Sequence, residues 1–189
     1  SRRQRQMCIR DSFWGCGTNL HRSPYNARNH EYYSEDAVLT SGQAVAFISG
    51  GKEYGVIIAP KHLAFNDTEI NRTGVSVFMT EQQARENELR GTQAAIEDAG
   101  ALGVMTAFNR VGITATNAHT GLLKNILRGE WGFKGLESQD FIMNPNYAVL
   151  KEYALNGGTM TTFTGENTMA AVSEKFAYWT TENVGQDTE

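Results

Sequence analysis

Short apolar runs rich in Val, Ile and Leu alternate with stretches of helical pattern along this chain. That alternation limits the fold more than any other feature. The runs at 18–20, 53–59, 102–108, 135–141 and 158–163 predict strands. Residues 81–99 predict a helix: Thr80 can cap it with Gln83 three residues on, and Gly100 can end it. Further helices are predicted over 121–127, over 147–155 ahead of Gly157 and Gly158, and over 168–180. Strands separated by helices need crossover connections, so the sheet should be parallel. Such a sheet is either open and doubly wound or closed into an eight-stranded barrel. The dinucleotide-binding version needs a glycine-rich turn that opens a helix. Gly15-Cys16-Gly17 lacks the third glycine and opens none.

Composition narrows the function. The first twelve residues crowd Arg2, Arg3, Arg5 and Arg10 into a run without amphipathic logic. That run resembles translated sequencing-adapter sequence and is set apart from the fold, which is read from Phe13 to residue 189. The formal net charge is −4. Setting the run apart lowers Lys plus Arg from 17 to 13 and Asp plus Glu from 21 to 20, giving −7. No basic footprint points to nucleic acid. The apolar runs are too short to span a bilayer, and no membrane partner is expected. Cys8 and Cys16 cannot build a disulfide framework. His21, His30, His62 and His119 lack metal-ligand spacing, so no metal site is expected.

Polar residues gather where the predicted strands end. Lys61 and His62 follow the second, Asn109 and Arg110 the third, and Asp140 closes the fourth. In a barrel those ends share one face, the face that carries active sites. Lys and Arg donate hydrogen bonds, Asp accepts them and His can do either, a set suited to a hydroxyl-rich ligand. Cations around a carboxylate would keep it ionised, as a nucleophile must be. Each residue also has a plainer reading. Lys61 and Arg72 could be solvated loop charges, His62 a hydrogen-bonded core residue and Asp140 a helix cap.

Longer words decide between these readings. His21-Arg22-Ser23-Pro24, continuing through Asn26-Ala27-Arg28-Asn29-His30-Glu31-Tyr32-Tyr33-Ser34-Glu35-Asp36, resembles the HRNPLxGRNFEYYSEDP word of glycoside hydrolase family 3. Residues 61–72, KHLAFNDTEINR, resemble KHFAxNDQExNR. Residues 104–110 match VMTAFNR, and residues 127–135 match LRGEWGFKG. The resemblance runs from about Trp14 to Gly165. It implies part of a TIM-type (β/α)8 barrel, incomplete here, from the N-terminal domain of a β-glucosidase-type enzyme. It places Asp140 at the nucleophile. Arg28, Lys61, His62 and Arg72 fall on residues that hold the sugar. Met105 lines the same subsite, and Phe108 stands where many members have tyrosine. Glu31 and Asp36 are expected to orient the cations.

The implied reaction is hydrolysis of terminal non-reducing β-D-glucosyl residues with retention. The substrate is a β-glucoside or related oligosaccharide, and no cofactor takes part. Retention needs a second carboxyl group about 5–5.5 Å from the nucleophile as acid/base. In this branch it comes from a later, C-terminal domain, so the 189-residue chain alone is expected to be inactive. Some positions depart from the family: Glu137-Ser138-Gln139 precede the nucleophile in place of an apolar VVSD-like strand. Asn87, Glu88 and Thr92 replace mostly apolar residues, and Met160 replaces an aspartate. Glu137, Gln139 and Met160 favour the runner-up, a non-catalytic or degenerate sugar-binding barrel protein, and Asp140 argues against it.

Overall fold

The structure is a computed structural model and describes residues 12–141, 150–162, 170–171 and 173–174. Its frame is a set of parallel strands laid side by side in chain order. β1 (Ser12–Phe13) pairs with β2 (Ile57–Ile58), and Gly17 bridges on to Lys61 at the start of β3 (Lys61–Leu63). β3 pairs with β5 (Gly103–Thr106), and β5 with β8 (Leu136–Gln139). Ser138 then makes a parallel bridge to Met160. An open doubly wound sheet reverses its strand order at a switch point. Here the strands from β1 to β8 and the bridge at Met160 run in chain order, with Tyr32 bridging Gly17 on its other side, and this run of neighbouring parallel strands is the wall of a (β/α) barrel. Ser12, set apart in sequence with the residues before it, lies in this wall opposite Ile57.

The predicted helix over 81–99 forms as α2 (Glu81–Gln83), a π-type turn (Ala84–Glu88) and α3 (Arg90–Glu97). The Thr80 hydroxyl accepts from the Gln83 amide at 3.2 Å, as expected. Gly100 ends the segment at φ +64°, a conformation that costs residues with a Cβ about 1–2 kcal/mol. The helix predicted over 121–127 runs from Gly121 to Glu130 in π form. The third forms as α4 (Leu150–Leu155). Most of the helix predicted over 168–180 lies outside the described residues, as does residue 163 of the last predicted strand.

The structure adds one long helix that the sequence pattern did not suggest, α1 (Ala37–Glu53). Asp36 caps it by accepting from the Leu39 amide at 2.6 Å. Gly42, Gly50 and Gly51 lower its helical propensity. Gly51 has a packing reason: a Cβ there would meet the Ile58 side chain at 2.4 Å. The run at 53–59 is accordingly shorter as a strand than its composition suggests, because Glu53 still belongs to α1. Residues 18–20 form no strand, although Thr18, Asn19 and Leu20 are all buried.

A second small sheet is built from the segments that follow β3 and β5. β4 (Ser76–Val77) pairs with β6 (Arg110–Val111), which turns back into β7 (Thr114–Ala115). Both β4 and β6 belong to segments that follow wall strands, so this sheet builds the rim. Leu63, Phe65, Leu89, Ile96, Val104 and Leu127 fill the core between wall and helices. At the β1 edge an apolar groove is lined by Phe13, Phe47, Tyr54, Val56 and Ile58, with Phe13 51% and Tyr54 81% exposed.

Candidate active site

The segments between and after the wall strands bring the sequence-selected residues together. Lys61 and His62 lie within β3, one step earlier than the strand end expected. Met105 is buried in β5, in register with both Lys61 and Ser138. Asp140 follows the last residue of β8, and Phe108 follows β5 by two residues. Arg28 comes from the loop between β1 and α1, and Arg72 from the loop after β3.

Through His62 and Arg72, the side chains of Arg28, Lys61 and Phe108 connect to Asp140. Its Oδ2 lies 3.5 Å from His62 Nε2 and 3.9 Å from Arg72 Nη1. The Phe141 amide donates to Asp140 Oδ1 at 2.8 Å. Arg28 Nη1 lies 3.2 Å from His62 Nε2, and Lys61 joins Arg28 through a shared Glu31 carboxylate. Lys61 Nζ donates to Glu31 Oε1 at 2.7 Å, and Arg28 Nε donates to Glu31 Oε2 at 2.7 Å. The Arg72 guanidinium stacks over the Phe108 ring at 4.3 Å. His62 is anchored through its backbone: its amide donates to Asn19 Oδ1 at 2.7 Å, and Asn19 Nδ2 donates to the His62 carbonyl at 3.0 Å.

Three partners escaped the sequence reading. Glu69 receives Arg28 at 3.2 Å and Arg72 at 3.1 Å, so it spaces the two guanidinium groups. Asn66 donates to the Tyr32 hydroxyl at 2.7 Å and to Glu69 Oε1 at 3.1 Å. The Tyr32 hydroxyl in turn lies 3.1 Å from His62 Nδ1. All three stand inside the long words, and an unassigned carboxylate between Lys61 and Arg72 was the available signal. Asp36, expected beside Glu31, instead caps α1.

Burial governs the charges. It moves the Asp140 carboxyl above its ordinary range, outweighing the Phe141 amide and the charges of Arg72, Arg28 and Lys61. The cations therefore offset the cost of burying this carboxylate only in part. Burial also drives His62 well below its ordinary pKa, and Arg28, Lys61 and Arg72 push it the same way. His62 is neutral at pH 7. Burial works against the Glu31 charge too, yet the hydrogen bonds from Lys61 and Arg28 hold Glu31 below its usual range.

A run of neighbouring parallel strands, with basic side chains gathered round a buried carboxylate after a strand end, defines a (β/α)-barrel domain with a polar site on its rim. The chain belongs to glycosyl hydrolase family 3: the family's N-terminal domain matches residues 17–159. It is 41% identical over 123 residues to a β-glucosidase of Rhizobium radiobacter, which covers 65% of this chain and 15% of that protein. A β-glucosidase of Ruminococcus albus is 38% identical over 136 residues, 72% of this chain and 14% of its own length. The structure of β-glucosidase 3B from Thermotoga neapolitana in complex with glucose superposes with a TM-score of 0.79 at 30% identity, over 90% of this chain and 24% of that one. The β-glucosidase DesR from Streptomyces venezuelae, in complex with D-glucose, gives 0.78 at 30% identity over 85% and 20%. The chain thus spans about a seventh of those curated relatives.

Proposed function

We propose that this chain carries the nucleophile half of the active site of a retaining, exo-acting β-glucosidase-like enzyme. One observation carries the reading: Arg28, Lys61, His62 and Arg72, from three separate segments, are gathered by direct or bridged contacts around Asp140. Asp140 attacks the anomeric carbon as the glycosidic C–O bond breaks and the leaving oxygen takes a proton from the acid/base; water, giving its proton to that same group, then hydrolyses the covalent glycosyl-enzyme with retained configuration. Arg28, Lys61 and Arg72 hold the sugar hydroxyls, and their carboxylate partners fix where they point. Met105 and Phe108 supply the apolar side of the subsite. The substrate is a neutral β-D-glucoside or a related oligosaccharide.

Lys61 and Arg28 hold Glu31 below its usual range, so it stays ionised and is ill suited to protonate a leaving group. The resemblance to the family places the acid/base in another domain, and on that reading the 189-residue chain alone should not turn over substrate. In a chain completed with a family C-terminal domain, a 2-deoxy-2-fluoro glucoside should label Asp140, and Asp140→Ala should abolish labelling. Labelling of a different residue would show the nucleophile to be misassigned. Failure to label any residue would favour a sugar-binding barrel without catalysis.

A further inference from the structure

The neutral ring of His62 has one proton and two nitrogens, and its surroundings choose between them. The Tyr32 hydroxyl, 3.1 Å from Nδ1, can accept or donate, so it does not choose. Arg28 does. A guanidinium nitrogen has protons and no lone pair to offer, and Arg28 Nη1 stands 3.2 Å from Nε2. With the proton on Nε2, two N–H donors would face each other in a pocket where His62 is only 3% exposed. With the proton on Nδ1, Nε2 accepts from Arg28, and Nδ1 donates to Tyr32. Tyr32 then accepts twice, from His62 and from Asn66 Nδ2 at 2.7 Å, which uses both lone pairs of its oxygen.

We propose that His62 carries its proton on Nδ1, because Arg28 denies Nε2 a proton, and that Tyr32, held by Asn66, is the positioning residue that receives the Nδ1 proton. The consequence rests on the reading of Asp140 as nucleophile. A lone pair on Nε2, 3.5 Å from Asp140 Oδ2, gives that oxygen no hydrogen bond. An N–H in the same place would stabilise the resting carboxylate and blunt its attack, because a contact stronger before reaction than during it slows the step. His62 in this state also gives no N–H to a sugar hydroxyl from Nε2, which leaves donation there to the cations.

The test is long-range ¹⁵N–¹H correlation on the ¹⁵N-labelled 189-residue chain at pH 7, with His62 assigned from the spectrum of His62→Gln. The expected pattern is a pyrrole-type Nδ1 and a pyridine-type Nε2. The reverse pattern overturns the proposal whatever Asp140 does, and the measurement needs no turnover. In Tyr32→Phe the Nδ1 proton loses its acceptor, and an Nε2–H population should appear. A Tyr32→Phe spectrum with the His62 pattern and shifts unchanged would remove Tyr32 from the role. Loss of the fold in that variant leaves the natural chain's pattern to decide the tautomer.

Discussion

Glu137 sits in the wall strand β8 with 1% exposure, and neither of its carboxylate oxygens finds a hydrogen-bond partner of ordinary geometry. Burial pushes its carboxyl up to about 8, outweighing Tyr153, Arg128 and Thr106 nearby. Consider Glu137→Val, which restores the kind of residue usual in such a strand. The unfolded carboxyl titrates near 4.5, the folded one near 8. Between those values the folded chain binds the extra proton, so stability is greatest below 4.5 and falls as pH rises through 8. Each unit is worth about 1.4 kcal/mol, so the penalty is about 3 kcal/mol at pH 7 and about 5 kcal/mol above pH 8. Valine has no such penalty. The stability difference between variant and natural chain should widen by about 3 kcal/mol from pH 4 to 7, and by about 5 by pH 9. For a domain this size, 3 kcal/mol corresponds to roughly 6–12 °C in Tm. Urea unfolding at pH 4, 7 and 9 reads it directly. A difference constant across that range would refute the reasoning, and so would a natural chain that gains stability as pH rises.

Three further outcomes follow from the same structure. Glu88, also buried and pushed up to about 8 by burial and by Asp67, should behave alike. Glu88→Leu should remove part of the natural chain's loss of stability between pH 4.5 and 8, seen as a flatter Tm against pH. Arg128 donates to the carbonyls of Phe133, Gly135 and Gly157 at 3.3, 2.9 and 2.6 Å, tying the helix at Gly121–Glu130 to the approach of β8. Arg128→Ala should cost about 2–4 kcal/mol by urea unfolding, and a loss under 1 kcal/mol would contradict the tie. Ala27 holds φ +68°, where a Cβ is strained. Ala27→Gly should gain roughly 1 kcal/mol if the strain exceeds the entropy glycine adds to the unfolded chain, with a lower Tm as the contrary result.

What local sequence could determine was the kind of element and the chemistry on offer. The capped helix after Thr80 and the strands at 103–106 and 136–139 were legible because each depends on residues a few positions apart, whereas the barrel, as against an open sheet, was legible only through the family resemblance. Helix α1 was not legible: its three glycines lower the helical signal, and the reason for Gly51 is Ile58, a neighbour only in the folded chain. The words around Arg28, Lys61, Arg72 and Asp140 marked the site, yet only the tertiary structure put His62 within 3.5 Å of a carboxylate 78 residues away. It also decided the charges. The ordinary pKa of histidine leaves its state near pH 7 open, and burial among three cations makes His62 neutral. A carboxylate ringed by bases looks fully stabilised in sequence, but enclosure in the wall raises Asp140 nonetheless. Spacing along the chain sets which groups exist, whereas desolvation and the field at each group depend on every segment packed around it.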